Sequence, residues 1–194
     1  ASCELSNAEQ LAVAIQSLYE DLVAPIAATG HVVDVIAMCG NHDRESFDRF
    51  TVNPGRYYYT FTVYTALQLI CQKVGLKNVN FTIPSDGYHV YEIFGSHYLV
   101  EHGDLVGKPT MASLEQQINK RSVQVDKLIK GIRIGHFHND IVGSMGRYIV
   151  NGSTVSDDHY GGGLGFKSRP CQLINYYVET DRDNPYYHTL VVNL

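Results

Sequence analysis

No Cys-x-x-Cys pair, no unbroken apolar run of about eighteen residues, no excess of positive charge, no internal repeat and no low-complexity linker occur in these 194 residues. Each absence excludes something. The four cysteines, Cys3, Cys39, Cys71 and Cys171, are scattered, which argues against a zinc knuckle or disulfide scaffold and fits reduced, buried thiols in a cytoplasmic setting. Because acidic and polar groups punctuate the first thirty residues, neither a membrane span nor a signal peptide is expected. The formal net charge is −5, so no global positive field draws in nucleic acid. A polynucleotide would have to be held by a local patch or by metal ions. With 44% hydrophobic residues, the chain can bury one sizeable core, and a single domain over residues 1–194 is the expectation.

What is present reads as helix and strand in alternation at first and as strands later. Ser6 followed by Glu9 is a capping box, and Leu11, Ile15, Leu18 and Leu22 recur at helical spacing, which predicts a helix over 7–27 with Gly30 marking its end. A β-branched run at 32–38 predicts a buried strand that stops at Cys39-Gly40-Asn41-His42-Asp43. A second helix is expected over 57–74. Short extended pieces at 79–83, 88–94 and 97–101 read as a meander, with turns at Asp86-Gly87 and Gly95-Ser96. A helix over 111–129 follows, then strands near 131–134, 148–150, 172–179 and 187–192. The fold class is mixed α/β, and its polar loops follow strands, where open α/β sheets place their chemistry.

Three polar clusters each follow an apolar run: Gly40-Asn41-His42-Asp43, Glu101-His102-Gly103-Asp104 and Gly135-His136-Phe137-His138. Singly, each has an ordinary explanation. Asn, Asp and Gly favour turns, His102 suits any strand end beside a Gly-Asp turn, and nine His in 194 residues give roughly 0.4 His-x-His pairs by chance. Three such clusters in succession are less easily dismissed. Alternation in an extended segment would put His136 and His138 on one side, where both imidazoles reach a metal pair. Asn41 offers a neutral carbonyl oxygen and His102 and His136 offer nitrogen, which makes a mixed site for Zn, Mn, Fe or Ni.

The order Gly-Asn-His-Asp, His-Gly-Asp, Gly-His-Phe-His resembles the third, fourth and fifth motifs of the calcineurin-like metallophosphoesterases. The stretches Ser85 to Asp104 and Ile149 to Tyr160 resemble a phage-related branch of these metallophosphatases. The resemblance implies a metallophosphatase β-sandwich flanked by helices, acting as a binuclear hydrolase on a phosphoester, nucleic acid included, in a host cytoplasm. It makes Asn41, His102 and His136 ligands of one ion and His138 a ligand of the other, with His42 stabilising or protonating the leaving group. Asp43 and Asp104, by adjacency, would orient the neighbouring imidazoles.

The family also carries Asp-x-His and Gly-Asp motifs on two earlier strands, and neither precedes the first helix here. Asp21 falls inside that helix and Asp34 falls mid-strand, so neither replaces the bridging carboxylate. The expectation is therefore an N-terminally truncated domain with impaired hydrolysis, completed by an upstream segment, by a partner chain or by a homo-oligomer. The other expectation is a noncatalytic metal-binding or assembly module that keeps the fold. Gly161 to Gly165 lacks the strand before it and the Lys-Ser/Thr after it that a phosphate loop needs. It reads as a mobile loop bordering the site, after Asp157-Asp158-His159-Tyr160. His31, His89, His97 and His188 have no ligand-spaced partners, and Tyr57-Tyr58-Tyr59 and Tyr186-Tyr187 suit a core or an interface.

Overall fold

The backbone N–H of Ser6 donates to the Glu9 carboxylate at 2.8 Å, and the Ser6 hydroxyl accepts from the Glu9 N–H at 3.4 Å, so the capping box starts a helix where residue order dictates. The computed structural model describes residues 5–44, 53–155, 169–180 and 185–194. Helix α1 (Asn7–Ser17) runs without interruption through a π-helical stretch (Leu18–Val23) into α2 (Ala24–Ala28). Pro25 opens α2, and a proline there has no N–H for the preceding turn, which coincides with the wider winding before it. Gly30, at φ +83°, ends the run as expected. Residues Asn7–Ala28 are long and apolar enough, by length and composition alone, to cross a bilayer. Glu9, Glu20 and Asp21 are its acidic residues.

The chain forms two compact units, residues 2–87 and 88–194. In the first, Leu18, Tyr19 and Val23 pack against Leu67 and Cys71 of α4 (Tyr59–Lys73), which follows the single turn α3 (Pro54–Tyr57). Strand β1 (Val33–Ile36) pairs in parallel with β2 (Val79–Thr82), with Val33 opposite Val79. The three-stranded meander expected over 79–101 is therefore not formed. β2 joins β1, whereas β3 (Tyr88–Ile93) and β4 (Ser96–Glu101) make an antiparallel hairpin. Period-2 patterning marks a strand without naming its partner, and the parallel partner lies a helical crossover away.

In the second unit five strands run in the order β3-β4-β5-β7-β6, with β5 at Ile129–Ile134, β6 at Ile141–Gly143 and β7 at Tyr148–Val150. β4, β5 and β7 are parallel, and β3 and β6 are antiparallel edges. The three-residue edge β6 was not expected from the sequence. Helix α5 (Met111–Val125) covers one face, where Leu114 and Ile118 meet Leu99, Ile132, Ile134 and Val150; each such buried side chain contributes about 2 kcal/mol. It stops short of residue 129 because Asp126 turns left-handed at φ +51° and frees Ile129 for β5. The hairpin of β8 (Cys171–Tyr177) and β9 (Tyr186–Asn193) covers the other face. There Arg133 of β5 donates to the Tyr177 hydroxyl at 2.9 and 2.6 Å, and the Tyr98 and Tyr177 rings meet edge-on at 5.3 Å. A helix, a mixed sheet and a hairpin thus form three layers of a mixed α/β fold. Cys39, Cys71 and Cys171 are buried and form no disulfide among the described residues. The glycine-rich run 161–165 and the cluster 157–160 lie outside the described residues.

Candidate metal centre

Parallel strands β4, β5 and β7 all finish at one edge of the five-stranded sheet, and the loops leaving them carry His102-Gly103-Asp104, Gly135 to His138, and Asn151-Gly152-Ser153. Backbone bonds hold the three exits level. Gly135 N–H donates to the His102 carbonyl at 3.0 Å, and Asn151 N–H donates to the Ile134 carbonyl at 2.7 Å. Gly103 sits at φ +110°, and a Cβ there would lie 3.4 Å from the Gly135 oxygen, from Ile134 and from the Phe137 ring. Glycine is the residue that tolerates both the angle and the crowding.

The loop after β5 is not the extended segment the sequence predicts. His136 has φ +66° and the Phe137 N–H donates to the Gly135 carbonyl at 2.8 Å, a three-residue γ-type turn, and His138 follows at φ +58°. Side-chain alternation therefore does not apply: His136 is half-buried and His138 is exposed. A non-glycine residue in this region costs on the order of 1 kcal/mol. Packing compensates at His136, whose ring stands edge-on to Phe137 at 5.1 Å, while Phe137 itself rests on the sheet core.

The tight turn brings His136 to His102. His136 Nδ1 lies 3.1 Å from His102 Nε2, with ring centres 4.9 Å apart at 71°. Two nitrogens each about 2.1 Å from one ion, at tetrahedral or octahedral angles, stand about 3.0–3.4 Å apart. The pair therefore fits the spacing of two ligands on one divalent ion, and the same separation suits a hydrogen bond between the rings when no ion is held. Among the described residues no group of three or more His, Cys, Asp or Glu is gathered for a metal. His138 and Asp104, both exposed, do not complete such a group with the pair.

Asn41, His42 and Asp43 lie in the other unit, in the turn after β1. The Asp43 carboxylate accepts from the N–H of Gly40 at 2.9 Å and of Thr60 at 3.2 Å, and its carbonyl accepts from Tyr59 at 2.8 Å. It fastens the turn to the first turn of α4, whose positive end favours a carboxylate. Burial pushes the Asp43 carboxyl above its ordinary range, against the pull of those N–H donors. Asn41 is half-buried and its carbonyl accepts from Arg44 Nε at 2.7 Å; His42 is exposed.

Two features were not anticipated from the sequence. Glu101 precedes His102 but faces α5, as alternation requires, and accepts from Gln117 at 2.9 Å and from Arg121 at 3.4 Å. Burial raises its acid, and the network pins the end of β4 from beneath. Beyond β7, Asp140 pairs with Arg169 at 3.6 Å; no periodicity links residues 29 positions apart, so no sequence signal announced them.

No family model and no curated protein matches the chain. Among solved structures, it is similar to wild-type Vps29 of Entamoeba histolytica complexed with Zn2+, at 13% identity over 88% of this chain and 87% of that one, with a TM-score of 0.45. It is also similar to a double mutant of the same protein, at 13% identity over 100% and 92% of the two chains, TM-score 0.43. Vps29 from Cryptosporidium parvum is 17% identical over 66% of this chain and 76% of its own, TM-score 0.36.

Proposed function

We propose that this protein is a metal-binding module in which His102 and His136 hold one divalent ion at the carboxyl edge of the sheet. The 3.1 Å separation of the two ring nitrogens carries the reading. The chemistry of the donors agrees with it, since imidazole suits Zn, Mn, Fe and Ni alike. A bound ion would supply Lewis acidity at an exposed edge. The chain's own contribution is to hold two imidazoles at ligand spacing with Gly103, the γ-type turn and the Phe137 ring. A module of this kind presents a charged, structured surface to a phosphorylated ligand or a partner chain without turning anything over.

A second reading, phosphoester hydrolysis of the calcineurin-like kind, is favoured by the order of the three strand-end clusters. That chemistry uses two ions about 3.5–4 Å apart. The His102–His136 spacing supports one ion, which is why the binding reading comes first.

Calorimetric titration with Zn2+ tests the first reading. One ion per chain is expected, with affinity reduced at least about 100-fold in His102→Ala and in His136→Ala; unchanged affinity in both variants would sink it. Hydrolysis of an aryl phosphodiester with Mn2+, abolished by His136→Ala, would move the protein to the second reading.

A further inference from the structure

We infer that Arg169, held at the carboxyl edge by Asp140, is the residue that grips an oxyanion, such as a phosphoryl group, beside the His102–His136 pair. The inference rests on the proposed metal site and adds to it the residue that selects the ligand.

The placement comes from pairing. Ser153, three residues past the end of β7, bridges Pro170 in parallel, and the Cys171 N–H donates to the Ser153 carbonyl at 2.8 Å. Arg169 therefore stands beyond the carboxyl end of β7. Asp140 stands two residues past His138 and just before β6, whose first residue, Ile141, pairs with the last of β7, Val150. Since β7 neighbours β5 and adjacent strands lie about 4.8 Å apart, both residues belong to the edge where His136 leaves the sheet.

Asp140, next to the start of β6, is the acid that faces Arg169, and the Cys171 that follows Pro170 is fully buried. Cys171 in turn is wedged against Gly152, where a Cβ would lie 2.3 Å from the sulfur. Arg169 Nη2 lies 3.6 Å from Asp140 Oδ2, and the arginine side chain is 61% exposed against 27% for the aspartate. A separation of 3.6 Å is a charge contact longer than a hydrogen bond, so the guanidinium is oriented while donors of its planar fork remain open to solvent. That fork matches two oxygens of a phosphoryl group.

The other arginines described in residues 88–194 are committed elsewhere. Arg121 lies on Glu101 and over the Tyr88 ring, Arg133 lies beneath the hairpin on Tyr177, and Arg147 is clamped by Glu115 at 2.7 and 3.0 Å. In a chain of formal charge −5 an anion needs a local cation to stay, and Arg169 supplies one at this edge.

Inorganic phosphate binding, measured by calorimetry on the intact protein with and without Zn2+, tests the assignment. Arg169→Ala is expected to weaken phosphate about tenfold, in both metal states, while Zn2+ affinity stays within twofold. Arg169→Lys, which keeps the charge and loses the fork, should fall between. Asp140→Asn, which removes a competing carboxylate, should tighten phosphate about twofold to threefold. Phosphate affinity within twofold of the parent in Arg169→Ala, or no phosphate binding by the parent, overturns the inference. Loss of Zn2+ binding with Arg169-dependent phosphate binding intact would instead overturn the metal reading alone.

Discussion

The two ends of the five-stranded sheet use the same backbone device for opposite purposes. At the amino edge, the β3–β4 turn places Phe94 and Gly95 at φ +46° and +73°, and the β6–β7 turn places Ser144, Met145 and Gly146 at +48°, +52° and +76°. These are hairpin reversals, where consecutive left-handed residues match strand twist and Asn or Gly is the usual occupant. Phe94 and Met145 are 52% and 84% exposed, so their side chains gain little packing from the strain. At the carboxyl edge the left-handed non-glycine residues of the loop after β5 are His136 and His138, and there the turn aims a side chain: it swings the His136 ring onto His102. Left-handed backbone reverses the chain at one end and positions chemistry at the other.

Substitutions separate the two uses. The largest effect is expected at the amino edge, where a Cβ on Gly146 would lie 2.3–2.5 Å from the Tyr186 ring while the backbone stays at φ +76°. Gly146→Ala should cost about 3 kcal/mol, the sum of left-handed strain and overpacking, read as a lowered midpoint in urea with Zn2+ affinity of the folded protein unchanged. Next comes His136→Gly. It relieves strain but gives up the ring's packing on Phe137, so stability should stay within about 1 kcal/mol of the parent, yet Zn2+ affinity should fall about 100-fold, or about 2.7 kcal/mol. A variant that kept its zinc would erase the distinction between the edges. The smallest effect belongs to Met145→Gly, which should raise stability by about 0.5 kcal/mol and leave both zinc and phosphate binding as they were; a loss of binding there would show that the amino edge shapes the site as well.

Features that depend on near neighbours along the chain were legible in the amino-acid sequence. Ser6 and Glu9 meet because they are three residues apart on one helical turn, and Gly30 ends that helix because glycine reaches φ +83° without strain. The clusters at Gly40, His102 and His136 fall at strand ends because an apolar run that stops at polar turn formers leaves the sheet there. Partners distant in sequence were not legible. The hydroxyl of Tyr177 and the guanidinium of Arg133 are 44 residues apart, and β2 and β3 read alike until β2 is seen beside β1.

The start and end of the first helical run, the strand-end polar clusters and the scatter of the cysteines follow from residue order, since each rests on contacts within a few residues or on composition. Which strands pair, which way the His136 loop winds and which acid faces Arg169 were settled only in three dimensions. Period-2 and period-3.6 patterns say which face of an element is apolar. The free energy that selects its partner comes from packing between segments far apart in the chain.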